Sequence, residues 1–288
     1  AESARDEATF RLASPHLQVG FDVRSGQLRE LVDLNLGYNL LGRFPGPLWE
    51  VELATAEGPL LLAPEHAGSF KAEPLPQPQR GGRLTWMDFP AAHAQNVSVQ
   101  VEVHLDESAP LSRWSFALAG LRDQVVRQVR FPRVPDIAAQ DTERLAVPVW
   151  QGQLATHPRE LLNPAGGNPR RHQWEYPGRL ALQCLAIYRP DGPGLYLACD
   201  DTHANRKTFA VFGGANTNLG CEIVHEPEGS GTSGHFQVSY QVVLGSFTGD
   251  WFNAAESYRA WARDQVWGRE SRVRQSAEPD WIRNTGIW

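Results

Sequence analysis

The sequence predicts an all-β protein, a large antiparallel β-sandwich, and three observations predict it. Short runs of β-branched and aromatic residues, separated by turn residues, recur from Thr9 to about Phe247. One of them, "NVSVQVEVHLD", alternates strictly: Val97, Val99, Val101, Val103 and Leu105 face one way, with Ser98, Gln100, Glu102 and His104 opposite. Helical periodicity is confined to one stretch near the end. Well over a dozen short strands in a single run mean a sandwich or barrel larger than an immunoglobulin module.

In order, the strand signals are "TFRLAS", "LQVGFDV", "GQLRELVD", "LWEVELA", "GSFKAEPL", "GRLTWMDF", "NVSVQVEVHLD", "LSRWSFALAG" and "VVRQVRFPRV". They continue with "RLALQCLAIYR", "GLYLACDD", "TFAVFGG", "CEIVHE" and "HFQVSYQVVLGSF". Ser25-Gly26 makes a hairpin turn after the second run. Pairing Arg189 with Gly194 across the turn at Pro190–Gly194 sets Cys184 opposite Cys199, close enough for a bridge, although two free buried thiols are the simpler outcome. From Asp250, apolar residues at Trp251, Ala254, Ala255, Tyr258, Trp261 and Ala262 follow one helix face; Asp250 caps the helix and Gly268 ends it. "RESRVRQSAE" is a charged connector. The last ten residues, "PDWIRNTGIW", read as the opening of a buried strand. The expected organisation is a sandwich over 1–248, a helical linker over 249–278 and the start of a further domain over 279–288.

Composition removes several function classes. The 288 residues carry a formal charge of −6 and no basic stripe, which excludes nucleic acid as an expected partner. No apolar run approaches the roughly 18–20 residues of a membrane span. No secretory leader heads the sequence, but a mature secreted chain lacks one too; a secreted or periplasmic location is favoured over a cytoplasmic one. Three cysteines make no disulfide framework, and no Cys/His spacing fits zinc. No phosphate loop, dinucleotide fingerprint or H-E-x-x-H occurs, so no cofactor and no metal are expected.

Three loops gather polar chemistry. "LLNPAGGNPRRHQWEYPG" (161–178) holds three Pro and three Gly and reads as irregular, yet it brings together Arg171, His172, Trp174 and Tyr176. An aromatic face for the C–H side of a sugar ring, with forked donors for its hydroxyls, is what a glycan site needs. A purely structural alternative has Trp174 and Tyr176 pinning a long loop. "CDDTHANRKTF" (199–209) crowds Asp200, Asp201, Arg206 and Lys207 between two strands, where Asp and Asn also close turns; its spacing lacks an EF-hand pattern. "IVHEPEGSGTSGHF" sets His225 and Glu226 at a strand end and His235 beyond a flexible turn, a His–carboxylate pairing of the kind anomer exchange uses.

The opening "LQVGFDVRSGQLRELVDLNLGYNLL" with "LWEVEL" resembles the N-terminal β-supersandwich, galactose-mutarotase-like, of large bacterial glycoside hydrolases. "EYPGRLALQCLAIYRPDGPGLYLACDDTHANRKTF" is similar to a stretch in glycosidase-like proteins of this layout, "YRAWARDQVW" to their interdomain helix and "WIRNTGIW" to a first barrel strand. In the α-galactosidase and endo-α-N-acetylgalactosaminidase groups such a domain precedes a helical connector and a (β/α)₈ barrel. The resemblance implies a non-catalytic domain that braces a catalytic barrel, here missing, and leans a loop over a glycan or oligosaccharide. The catalytic carboxylates would lie on that barrel, so no catalytic residue is assigned. The expected glycan-facing residues are Arg171, His172, Trp174, Tyr176, Asp200, Asp201, Arg206 and Lys207. A stand-alone carbohydrate-binding module and an aldose mutarotase or epimerase are the other readings.

Overall fold

A computed structural model of the chain describes residues 9–92, 94–227, 234–271 and 280–283. Strands β1 (Thr9–Ala13), β2 (Leu17–Asp22), β3 (Leu28–Asp33) and β4 (Tyr38–Asn39) form a four-stranded sheet in chain order. The β2–β3 turn is closed by Asp22 Oδ1, which accepts the backbone N–H groups of Arg24 and Ser25, both at 3.0 Å. Gly26 follows at φ 69°, where a Cβ would strike the Trp86 ring. Next come the hairpin β5 (Glu50–Thr55) and β6 (Gly58–Leu62), then a meander of β7 (Ser69–Pro74), β8 (Gly81–Met87), β9 (Ser98–Leu105) and β10 (Leu111–Ala119).

Strand β11 (Val125–Val134) crosses back to pair with β5. β12 (Arg144–Val147) and β13 (Gln153–Thr156) make a hairpin, followed by helix α1 (Pro158–Leu162) and β14 (Arg171–Tyr176). The remaining strands are β15 (Cys184–Tyr188), β16 (Gly192–Asp200), β17 (Lys207–Gly213), β18 (Leu219–His225), β19 (His235–Gln237) and β20 (Gln241–Gly249). Helices α2 (Trp251–Arg263), α3 (Val266–Arg269) and α4 (Asp280–Arg283) complete the described residues.

Two antiparallel sheets make the sandwich. The larger runs β13-β12-β15-β16-β20-β10-β9-β8-β7, with β19 also on β10; the smaller runs β14-β17-β18-β11-β5-β6. Between them lies an aromatic core. Trp49, just before β5, meets Trp86 edge-on at 5.5 Å and Phe116 at 6.1 Å, and Phe131 of β11 meets Phe116 of β10 at 5.0 Å. Trp86 Nε1 donates to the Ser25 carbonyl at 2.9 Å, so its one polar atom is satisfied inside the core. The alternation of β9 is realised: Val99, Val101, Val103 and Leu105 are buried, and Gln100, Glu102 and His104 face outward.

Strands β15, β16 and β20 do not alternate because both of their faces are covered. Helix α2 lays Ala254 and Tyr258 on Cys184, Ala186, Tyr196, Ala198 and Val243 at the outer side of the large sheet. Strands of that kind read as continuous apolar runs. Asp250 caps α2, Oδ1 accepting the Phe252 N–H at 2.8 Å while Asn253 Oδ1 accepts the Asp250 N–H at 3.0 Å.

Four expectations are corrected. The β15–β16 hairpin pairs Tyr188 with Gly194 and Cys184 with Ala198, one residue out of the expected register. The Arg189 carbonyl accepts from Gly192 at 3.0 Å while its N–H donates to the Pro193 carbonyl at 3.3 Å, so two residues oppose one. Cys184 and Cys199 therefore point to opposite faces, and all three cysteines are buried free thiols. Gly268 does not end the long helix: α2 stops at Arg263, and Gly268 lies within α3, where Trp267 packs on Trp261 at 5.8 Å. The loop 161–178 contains the regular strand β14, because its backbone finds a partner in β17. Asp280–Arg283 form a helical turn where a strand was expected; a turn closes its own hydrogen bonds, whereas a strand needs a neighbour. Pro279 and Asn284–Trp288 lie outside the described residues.

Candidate functional site

The 199–209 segment meets His225 and Tyr240 at one end of the sandwich, and the group that organises them is Lys207. It opens β17 and is fully buried. Its Nζ donates to Asp201 Oδ2 at 2.6 Å, to the Asn205 carbonyl at 2.7 Å and to Gln183 Oε1 at 2.9 Å, which uses all three donors. The ammonium also lies over the rings of Tyr240, 4.3 Å from the centroid, and Tyr176, 4.8 Å. Asp201 is equally saturated: Oδ1 accepts from His203 N–H and Asn205 Nδ2, and Oδ2 also from Asn205 N–H at 2.7 Å. Burial alone would raise its carboxyl, but Lys207 and these donors hold it below the ordinary carboxylate value. A cation beside Asp201 is thus already present, as an ammonium. Asp201 and Lys207 form the frame of the loop, with all three ammonium donors and both carboxylate oxygens engaged within it.

His225, the last residue of β18, lies alongside. Its Nε2 is 2.6 Å from the Phe131 carbonyl, which can only accept, so Nε2 carries the proton. Nδ1 then accepts from Tyr240 Oη at 2.7 Å. Burial pushes the imidazole down to about 4, and it is neutral at ordinary pH. With both nitrogens committed, His225 is a poor proton carrier for a sugar, which weakens anomer exchange as a reading.

Above this frame opens a cleft of about 340 Å³ whose polar lining includes Asn205, Arg206, His225, Glu226, His235 and Tyr240. Arg206 stands at its mouth, Nε 2.8 Å from Glu226 Oε2 and Nη2 3.7 Å from Glu175 Oε1. The Arg206 and Glu175 side chains are more than half exposed. Ion pairs so open to water contribute little to stability, and they leave donors and acceptors that a hydroxylated ligand can enter.

The other expected site residues go elsewhere. Trp174 is in the core. His172 is exposed and stacks on Trp174 with centroids 6.4 Å apart. Arg171 lies on the outer face of the smaller sheet, 2.8 Å from Glu222 Oε1, in a row continued by Arg133, Glu50 and Arg130. Asp200 points away from Asp201: its Oδ2 accepts from Arg113 Nε at 3.0 Å, and burial raises its carboxyl despite that partner. Of the eight, Tyr176, Asp201 and Lys207 share one buried network and Arg206 guards the cleft. Sequence reasoning missed Tyr240 and Gln183 as its members. Their only signal is position: Gln183 is a lone polar residue just before β15, and Tyr240 immediately precedes β20. Among the described residues no group of three or more His, Cys, Asp or Glu is placed to hold a metal, and no helix is long and apolar enough to cross a membrane.

Residues 236–288 match a family model described only as a domain of unknown function (DUF6259). No curated protein sequence matches the chain. Solved structures do. α-N-Acetylgalactosaminidase NagBb from Bifidobacterium bifidum, in complex with GalNAc, superposes with a TM-score of 0.61 at 12% identity, over 92% of this chain and 39% of that one. An α-mannosidase from Enterococcus faecalis gives 0.54 at 8% identity, over 88% and 30%. The GH36 α-galactosidase AgaA from Geobacillus stearothermophilus gives 0.53 at 10% identity, over 90% and 43%. The chain spans about two fifths or less of the length of these structures. At such identities the likeness is one of fold: a large all-β sandwich that recurs as one part of longer glycoside hydrolase chains.

Proposed function

We propose that this chain is the N-terminal, non-catalytic sandwich of a larger glycoside hydrolase, bracing a catalytic barrel and presenting the Arg206 cleft to a glycan. The observation that carries the reading is the asymmetry of the matches: nearly all of this chain aligns, with less than half of hydrolases that act on three different sugars by name. The cleft supports a binding role. Arg206 at its mouth pairs with the half-buried Glu226 of the lining and reaches toward the exposed Glu175 outside it. Glycoside hydrolysis needs two carboxyl groups flanking the scissile bond, and among the described residues lining the cleft Glu226 is the one carboxylate, so this reading assigns the chemistry to another domain.

The test is the polypeptide captured from its source with an antibody to this chain, weighed, and assayed on aryl α-glycosides. A species larger by a barrel, roughly 250 residues, with hydrolytic activity supports the reading. A 32.0 kDa species without activity overturns it, and sugar binding by the sandwich alone then becomes the assay. In the active species, Arg206→Ala should raise KM for an oligosaccharide several-fold and leave kcat unchanged, since Arg206 orients and does not react.

A further inference from the structure

The outer face of the large sheet is divided in chemistry. Over β8 and β9 it is charged, with Arg83 paired to Glu102 at 2.8 Å, as a sheet facing water should be. Over β12 and β15, beside α2, it is apolar. There a groove of about 370 Å³ is lined by Ala146, Pro148, Leu182, Ala186, Ala254 and Ala255. On its rim stand Trp150, 73% exposed, and Trp251, 52% exposed, with Leu154 beside Trp150 and Phe252 beside Trp251 also exposed. Trp150 is held outward by a left-handed backbone, φ 52°, in a turn closed by the Gly152 N–H on the Val149 carbonyl at 2.8 Å. A bulky residue is strained in that region and persists there only where its surroundings hold it. Contiguous apolar surface of this kind marks an interaction site.

We propose that this groove is the seat of the domain that follows the sandwich in the same polypeptide; the inference rests on the proposed function above. Three observations select that occupant. Helix α2 is both the groove's wall, through Trp251, Ala254 and Ala255, and the element by which the chain leaves the sandwich. The exposed apolar residues continue along that exit, at Val266 and Trp267 of α3. The similar hydrolases carry more than half of their length outside the matched part, and a domain tethered through α2 meets the groove at high effective concentration. A sugar fits poorly, because the lining offers few polar groups beyond Gln151 and Gln153.

Oxidative labelling of Trp150 and Trp251 by mass spectrometry, in this chain and in the full-length polypeptide, tests the proposal. Labelling should fall several-fold in the longer protein. Leu154→Asp should restore it there and split a single thermal transition into two, yet leave the melting of the 288-residue chain nearly unchanged, because Leu154 is exposed. Equal labelling in both proteins overturns the proposal. So does protection of the short chain that rises with its own concentration, the mark of a second copy, or protection by added oligosaccharide, the mark of a glycan site. A full-length protein that shows docking but no glycosidase activity sinks the functional reading alone. One no longer than this chain sinks both.

Discussion

Lys207 carries a full charge where no water reaches it, and its stability rests on three hydrogen bonds and two ring faces. Removing one partner of such a pair strands the other. Lys207→Met should therefore cost about 3–5 kcal/mol in urea unfolding, and Lys207→Met with Asp201→Asn should cost less than the sum of the two changes; a loss below about 1 kcal/mol would mean the pair is solvated. His225 gives a pH signature. Its folded value of about 4 lies below its ordinary 6.5, so between those values the unfolded chain binds one more proton. Falling pH then favours unfolding, by up to about 3 kcal/mol over the window. Stability measured from pH 7 to pH 4 should show this slope, and His225→Gln should flatten it. Lys207 stands out in the sequence as one of only two lysines. Its burial does not, because the groups that satisfy it come from three separate segments.

The elements were legible where each strand has one dry face, as in β9, and where a helix follows a capping Asp, as in α2. They were less legible where partners decide. β14 holds exposed and charged residues and is a strand because β17 pairs with it. β12 and β13 are four residues each, too short for periodicity to reveal. The thiol register failed by one residue at Pro193, a local bulge with no strong mark in the sequence. One consequence is testable: with Cys184 and Cys199 on opposite faces, mild oxidation should form no bridge. A thiol reagent should react with all three cysteines only after denaturation, in keeping with burial that pushes Cys184 up to about 12. The α2 cap makes a second prediction. Asp250→Ala should weaken the helix by about 1 kcal/mol and speed amide exchange in its first turns without loosening the core strands.

For the whole molecule, fold class and the all-β character were readable from the chain, since they depend on local pattern. The layout of the site was not, because it depends on which strands become neighbours. The decisive neighbour is β20. It lies between β16 and β10 and joins the two halves of the large sheet. A chain ending at Tyr240 should accordingly show no cooperative urea transition, although fewer than fifty residues are lost. The same placement bears on birth at the ribosome. Roughly 120 residues separate the end of β10 from the start of β20, about 6–24 s of translation at about 5–20 residues per second. During that interval the nascent chain holds β10 and then β16 with bare edges that invite foreign pairing. A chaperone that shields strand edges should therefore raise the yield of this protein most when it acts before Gln241 emerges.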